Sequence, residues 1–488
     1  MTEPPPSLAS GPAALQARRQ AIRSLQAKVA PQRKSWVDKN RYFYDGVNSL
    51  YRFLVEPGKR VLAVRCSLGQ QLSAVAPKSG LGIELTPELV QEARRTNPMW
   101  DYAVADPEEF IPTSKFDYII LGDTADIVDV QRVFQNLRGG CERHTRILVY
   151  TYNHLWEPIV KLATRFGLMS PHEEQNWLSE ADLKGLLRLS GYEWLKTHRI
   201  LLLPKRVPLL SFLLNRLIGA LPFVNRLSFI SVLVARPLPF RRRPEEVSVS
   251  VIIPCKNELG NIQPAVERIP RLGRHTEIIF CDDKSTDGTA QEVERLRALH
   301  PQKDIRLIHG PGICKARNVY AGFAAATGDI LMILDADLAV MPEELPYFFD
   351  AITGNSAEFA NGSRMIYPIP KAAMKVANLI GNHFFSLAFT FLLGERIKDT
   401  LCGTKALWRD DWQRILPLID TWGREDRWGD YELLFGASKI NLRIVDIPVH
   451  YQERIYGDTK MNQRLKNGMI MMQFCWAGFK KLKLRLKP

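Results

Sequence analysis

Asp335 and Asp337, separated by one residue, close the apolar run Ile330-Leu331-Met332-Ile333-Leu334. Two hard carboxylates at a strand end suit Mg²⁺ or Mn²⁺ holding a diphosphate, with water and phosphate completing the coordination. Upstream, Val251-Ile252-Ile253-Pro254-Cys255-Lys256-Asn257-Glu258 ends another apolar run in a polar turn suited to a nucleoside. Between them, Cys281-Asp282-Asp283-Lys284-Ser285-Thr286-Asp287-Gly288-Thr289 ends a third, where Asp283 is placed to accept from a base edge. A lone Asp-x-Asp turn is ordinary surface. Three acidic strand ends in order read as a ligand site, because open α/β sheets bind ligands at the carboxyl ends of their strands.

Residues 247–465 resemble glycosyltransferase family 2, the GT-A nucleotide-sugar-binding fold, and within it the polyprenyl-phosphate glycosyltransferases of dolichol-phosphate mannose synthase type. The likeness rests on Pro254, Asn257 and Glu258, on the 282–289 loop, and on Asp335-Ala336-Asp337. It continues through Asn361-Gly362-Ser363-Arg364, Asp399-Thr400-Leu401-Cys402-Gly403-Thr404-Lys405, and Glu453-Arg454-Ile455-Tyr456-Gly457-Asp458-Thr459-Lys460. The resemblance implies inverting transfer of a sugar from a UDP- or GDP-linked donor to a polyprenyl phosphate. Donor contacts fall to Pro254, Asn257, Glu258, Asp283, Asp335 and Asp337, the metal to Asp335 and Asp337, and catalysis to Asp337 and Arg454. An anionic acceptor needs cationic clamps, not a base, and Arg364, Arg454 and Lys460 stand at the family positions for them, with Lys375 a further candidate. Two departures qualify the likeness. Ala339 replaces a glutamine often found there, which leaves the metal to the two aspartates. Trp428-Gly429-Asp430-Tyr431-Glu432 stands where many relatives carry a catalytic acid. Asp430 as base for a saccharide hydroxyl is therefore the alternative reading.

Residues 41–236 resemble a class I S-adenosylmethionine-dependent methyltransferase. Gly82-Ile83-Glu84-Leu85 matches the second strand, and Asp106 and Phe116-Asp117-Tyr118-Ile119-Ile120-Leu121 match later positions. The expected first-strand acid is Ala63, and the expected loop glycines are Arg65 and Ser67; only Gly69 remains. Side chains there obstruct the approach of backbone to cofactor. The domain reads as degenerate, with Gly69, Glu84 and Asp106 a vestigial site, and the departures argue against S-adenosylmethionine as a cofactor. A bifunctional sugar methyltransferase and glycosyltransferase is the remaining alternative. Asp123 and Asp126 read as solvated loop carboxylates.

These residues need two Rossmann-type α/β domains to position them. Strand candidates are 60–64, 81–85, 101–105, 116–121 and 145–150 in the first half. In the second they are 249–254, 277–282, 304–309, 330–334 and 442–447, alternating with amphipathic stretches as βαβ units do. Residues 1–40 read as a basic N-terminal arm or helix and 237–246, rich in proline and arginine, as a linker. Residues 466–488 form an amphipathic tail ending in Lys480, Lys481, Lys483, Arg485 and Lys487.

The 488 residues carry 66 Lys+Arg against 52 Asp+Glu, a net charge of +14, with 46% hydrophobic residues. That composition excludes a disordered chain or a disulfide mini-scaffold. No base-reading module accompanies the charge, so phosphate ligands and an anionic membrane surface are expected and nucleic acid is not. The uncharged stretch 376–394 is interrupted by Asn378, Asn382 and His383 and reads as a buried or interfacial helix, not a span. The apolar stretch 201–224, punctuated by arginine, either lies in the membrane interface or packs on the second domain. The start Met-Thr-Glu-Pro-Pro-Pro lacks signal-peptide features, and seven unpaired-looking cysteines fit a reducing setting. The expected location is peripheral, on the inner face of the cytoplasmic membrane. The identity of sugar and base, and the oligomeric state (a homo-oligomer included), stay open.

Overall fold

Short β-branched runs alternating with amphipathic helices fold, in a computed structural model, into two seven-stranded mixed sheets. The structure describes residues 12–173, 175–368, 376–423, 426–452, 456 and 464–485. The chain divides into two compact units, Met1–Pro239 and Phe240–Pro488. The division falls inside the proline- and arginine-rich stretch, which has neither the apolar pattern nor the free N–H groups to continue a sheet.

The first sheet contains β1 (Arg60–Val64), β2 (Ser79–Glu84), β3 (Asp101–Val104), β4 (Tyr118–Leu121), β5 (Arg146–Tyr152), β6 (Tyr192–Ile200) and β7 (Ile230–Pro237). Its order is β3-β2-β1-β4-β5-β7-β6, parallel except that β7 runs antiparallel to both β5 and β6. This is the open, mostly parallel α/β sheet expected of a Rossmann-type domain. β4 is buried along its whole length and β1 along all but its first residue, as expected of central parallel strands covered on both faces. Two cores flank the sheet, one around Leu50, Tyr118 and Val232, the other around Ile119, Phe134 and Leu187.

The described part of the basic N-terminal segment is helical and built into this unit. Helices Pro12–Val29 and Arg33–Lys39 carry its cations onto acidic loop ends, where Arg19 bonds Glu108 and Arg23 Nη2 lies 2.7 Å from Asp106 Oδ2. Composition showed the charge but not the carboxylates that receive it.

The second sheet contains β8 (Ser248–Cys255), β9 (His275–Asp282), β10 (Asp304–His309), β11 (Ile330–Ile333), β12 (Phe359–Ser363), β13 (Lys405–Trp408) and β14 (Ile444–Pro448). Its order is β10-β9-β8-β11-β13-β12-β14, with β13 antiparallel to both neighbours. The fold is GT-A-like. Because β12 is antiparallel to β13 and β13 to β11, the carboxyl ends of β8, β9, β11 and β12 share one edge with the amino end of β13. That edge carries the candidate site.

Four strands escaped the sequence reading. β12 is Phe-Ala-Asn-Gly-Ser, poor in β-formers, and β13 has only four residues. β6 carries Lys196, His198 and Arg199, and β7 continues an apolar stretch that masks its start. Helix Val376–Leu393 forms where the uncharged stretch was noted. Among the described residues no helix is long and apolar enough to cross a membrane.

Candidate functional site

The turn after β11 sets the two aspartates. Leu338 adopts a left-handed backbone (φ 51°), its N–H donates to the Asp335 carbonyl at 3.1 Å, and Ala339 N–H donates to Asp337 Oδ1 at 3.1 Å. The chain thus turns back directly beyond the carboxylates. Lys315, at the start of helix Lys315–Ala325, places Nζ 2.5 Å from Asp335 Oδ1. Burial pushes the Asp335 carboxyl up, but Lys315 first, with Lys405 and Arg364 behind it, opposes this and the net shift is downward. Asp335 is therefore a carboxylate at neutral pH. Gly403 completes the crowding: a Cβ there would lie 2.3 Å from Asp335 Oδ2 and 2.6 Å from Lys315 Nζ. Only glycine lets the 399–405 loop pass so close to the acid. Lys315 was missed in the sequence, where it follows Gly310-Pro311-Gly312 as an ordinary surface cation would.

The residues expected to face a nucleoside are brought to the same edge, yet much of their hydrogen bonding is internal. Asn257, also left-handed (φ 54°), accepts from Thr286 N–H at 2.8 Å, and its own N–H donates to Ser285 Oγ at 2.8 Å. Glu258 is buried and accepts from Asn261 Nδ2 at 2.7 Å. Asp283 Oδ1 accepts from Gly312 N–H at 2.7 Å, with Lys256 Nζ 3.8 Å from its other oxygen. Pro254 is half-buried at the end of β8. These bonds stitch the loops after β8, β9 and β10 into one wall, so Asn257 and Glu258 shape the wall as much as they face it.

Arg364, expected as an acceptor clamp, is largely buried and doubly bonded to Asp399, Nε at 2.7 Å and Nη2 at 2.9 Å. Its guanidinium also lies 5.0 Å from the Tyr451 ring centre. Burial pushes the Asp399 carboxyl up, yet the Arg364 charge and hydrogen bonds hold it at about 2. Asp430 is buried with its Oδ1 2.7 Å from Lys405 Nζ. A base must reach an incoming hydroxyl, and this carboxylate is tied to a fully buried ammonium. Its neighbours Asp426 and Glu432 are pushed up by burial, to about 6 and about 7. Arg454, Lys460 and Lys375 lie outside the described residues.

Asp335 and Asp337 fit a divalent cation by donor type: hard oxygen donors at a strand end, with the Lys315 ammonium already on one of them. The first unit does not fit S-adenosylmethionine in the same way. Arg65 and Ser67 hold the left-handed conformations (φ 57° and 54°) that glycine takes without strain, but carry side chains. Arg33 Nε donates to Ser67 Oγ at 2.8 Å. Glu84 accepts from the N–H groups of Ser67 and Leu85, and Asp106 is taken by Arg23. A Cβ on Gly69 would meet the Tyr102 hydroxyl at 2.0 Å, so its space is filled from within the chain. Asp123, expected as solvated, is pushed up to about 7 by burial and by Asp126.

A match to "Glycosyl transferase family 2" spans residues 250–415. A dolichol-phosphate mannosyltransferase of Pyrococcus furiosus is 38% identical over 122 residues, 25% of this chain and 34% of the relative. A dolichyl-phosphate beta-glucosyltransferase of Trichomonas vaginalis is 31% identical over 255 residues, 48% of this chain and 72% of the relative. The chain thus spans 34% of one relative's length and 72% of the other's. Among solved structures, a complex of the Trm112 methyltransferase activator with a methyltransferase from Haloferax volcanii matches at 16% identity and TM-score 0.36. That match covers 46% of this chain and 100% of the matched one.

Proposed function

The chain belongs to glycosyl transferase family 2 through its second unit, and from that premise we propose sugar transfer from a nucleotide diphosphate to a polyprenyl phosphate. One observation carries the reading: Asp283 after β9 and Asp335 and Asp337 after β11, with β8 between these strands, lie on the edge where the buried Arg364–Asp399 pair sits. Both relatives carry a dolichol-type phosphate in their names, which supports the acceptor class.

A phosphate acceptor is already anionic and needs no base. Its oxygen attacks the anomeric carbon opposite the leaving group; the new C–O bond forms as the bond to the nucleoside diphosphate breaks, and configuration inverts. Asp335 and Asp337 would hold Mg²⁺ or Mn²⁺, which when bound neutralises charge on the diphosphate. Lys315 brings a second positive charge to the same spot. Asp399 fixes the aim of Arg364 toward the acceptor side, while Arg454 and Lys460 remain acceptor clamps by family position. The Lys405–Asp430 pair weighs against a hydroxyl acceptor. The internal bonds of Glu84 and Asp106 weigh against a methyltransferase role for the first unit.

The enzyme works peripherally at the inner face of the cytoplasmic membrane. Exposed Phe384 and Leu387, with Met469 and Trp476 on helix Arg464–Gly478 beside Lys480, Lys481 and Lys483, form the lipid-facing side of the second unit. The seven free thiols suit a reducing compartment.

The test is a screen of UDP- and GDP-sugars against a short polyprenyl phosphate with Mg²⁺ or Mn²⁺, read by mass spectrometry. A metal-dependent glycosyl lipid phosphate is expected, and Asp337→Ala abolishes it without changing the melting temperature. Turnover retained in Asp337→Ala removes the metal assignment. Transfer to soluble glycans with the lipid phosphate inert, abolished by Asp430→Asn, replaces the acceptor reading.

A further inference from the structure

The stretch 201–227 of the first unit turns large apolar side chains outward. Leu209 and Phe223 are 83% and 82% exposed, and Leu210, Phe212, Leu221 and Leu227 are exposed as well. The helix Glu157–Arg165 and its flanks extend this surface through Leu155, Ile159, Leu162 and Phe166. Side-chain bonds join the two stretches: Asn153 Nδ2 donates to the Arg226 carbonyl at 2.8 Å, and Trp156 Nε1 to the Leu227 carbonyl at 2.9 Å. Scattered apolar residues need no explanation, but a patch this large marks an interaction surface.

Charge says what covers it. No Asp or Glu occurs between Glu193 and Glu245, whereas Lys205, Arg206, Arg216 and Arg226 interrupt the apolar run. All four cations are exposed. Apolar side chains set among cations, with no acid in this stretch, match acyl chains beneath anionic headgroups. The local structure agrees, because the stretch is a chain of short helical turns (Leu210–Phe212, Leu213–Leu217, Ile218–Ala220 and Val224–Leu227) that lies along a surface and cannot span one. A cavity of about 270 Å³ in the same unit reaches this surface, where exposed Ile159, Leu168 and Lys205 line it.

We propose that this face of the first unit docks on an anionic bilayer, with Leu209, Phe212 and Phe223 entering the acyl boundary and Arg206 and Arg226 at the phosphate level. The docking uses only the first unit and no acceptor, so it stands or falls separately from the glycosyl-transfer reading.

The test is flotation of the full-length protein with phosphatidylcholine vesicles, with and without phosphatidylglycerol and free of polyprenyl phosphate. Binding that needs phosphatidylglycerol and weakens with salt is expected. Leu209→Ser/Phe212→Ser/Phe223→Ser should lower the partition coefficient at least about tenfold, since each side chain loses its apolar transfer. Arg206→Gln/Arg226→Gln should weaken binding to the anionic vesicles alone. All five positions are exposed, so unchanged melting temperatures confirm that both variants fold. Wild-type binding by the triple variant overturns the proposal. So does a triple variant that only converts a vesicle-free dimer to monomer in sedimentation, which would make a second copy the occupant.

Discussion

Lys315 and Glu432 show what single residues do here. Lys315 lies 2.5 Å from Asp335 although 20 positions separate them in sequence. The contact fixes its positive charge beside Asp335, so on the proposed reading it would stabilise a leaving diphosphate without reorganisation. Lys315→Met should lower kcat on the order of 100-fold, as loss of a preorganised electrostatic donor does, with a smaller change in donor KM. Steady-state kinetics with the lipid-phosphate acceptor reads both. Glu432 works through stability. Its carboxyl rises from 4.5 to about 7, chiefly by burial, although the Asp420 N–H bonded to it at 2.8 Å opposes the shift. The folded state holds the proton more tightly than the unfolded one. The group's contribution is therefore full below pH 4.5 and is lost as pH rises through about 7. Glu432→Gln, which keeps an acceptor for that N–H, should melt like the wild type near pH 4.5 and above it at about pH 8. Calorimetry across that window, with no difference at either end, would remove the assignment.

At the scale of elements, β12 and the 399–405 loop decide how the site is built. β12 is a strand because β13 and β14 supply partners on both sides, which outweighs the weak propensity of Asn361, Gly362 and Ser363. It delivers Arg364 to the edge that β11 ends on. The loop delivers Asp399 to receive that arginine, and Gly403 to pass Asp335. Gly403→Ala should displace Asp335 or Lys315, because a Cβ at 2.3 Å and 2.6 Å from their polar atoms has no room. We expect loss of most transfer activity with a modest fall in melting temperature; full activity would show that the loop stands further off in solution. The strands that carried the clearest motifs, β8, β9 and β11, were readable as apolar runs ending in acids. β6, β7, β12 and β13 were not, since β6 carries polar residues, β7 continues an apolar stretch, β12 is poor in β-formers and β13 has only four residues.

For the whole molecule, two α/β units share one chain, and in the first the polar groups at the strand ends are largely bonded within the chain although a cavity lies beside them. In the first, Arg19, Arg23 and Arg33 occupy Glu108, Asp106 and Ser67. Titration of the full-length protein with S-adenosylmethionine should give no binding heat, whereas a saturable isotherm would restore the methyltransferase alternative. The sequence by itself determined the two α/β units, the family of the second and its acidic strand ends. The units follow from local periodicity, the acidic ends from residue types that one kind of chemistry requires, and the family from the resemblance of its motifs. Only the tertiary structure decided which charges meet. It paired Lys315 with Asp335, Arg364 with Asp399 and Lys405 with Asp430, and folded the basic N-terminal helices onto the first unit's acids. Composition counts charges, but a carboxylate's protonation and reach depend on which cation the fold brings within hydrogen-bond distance and how much water it removes.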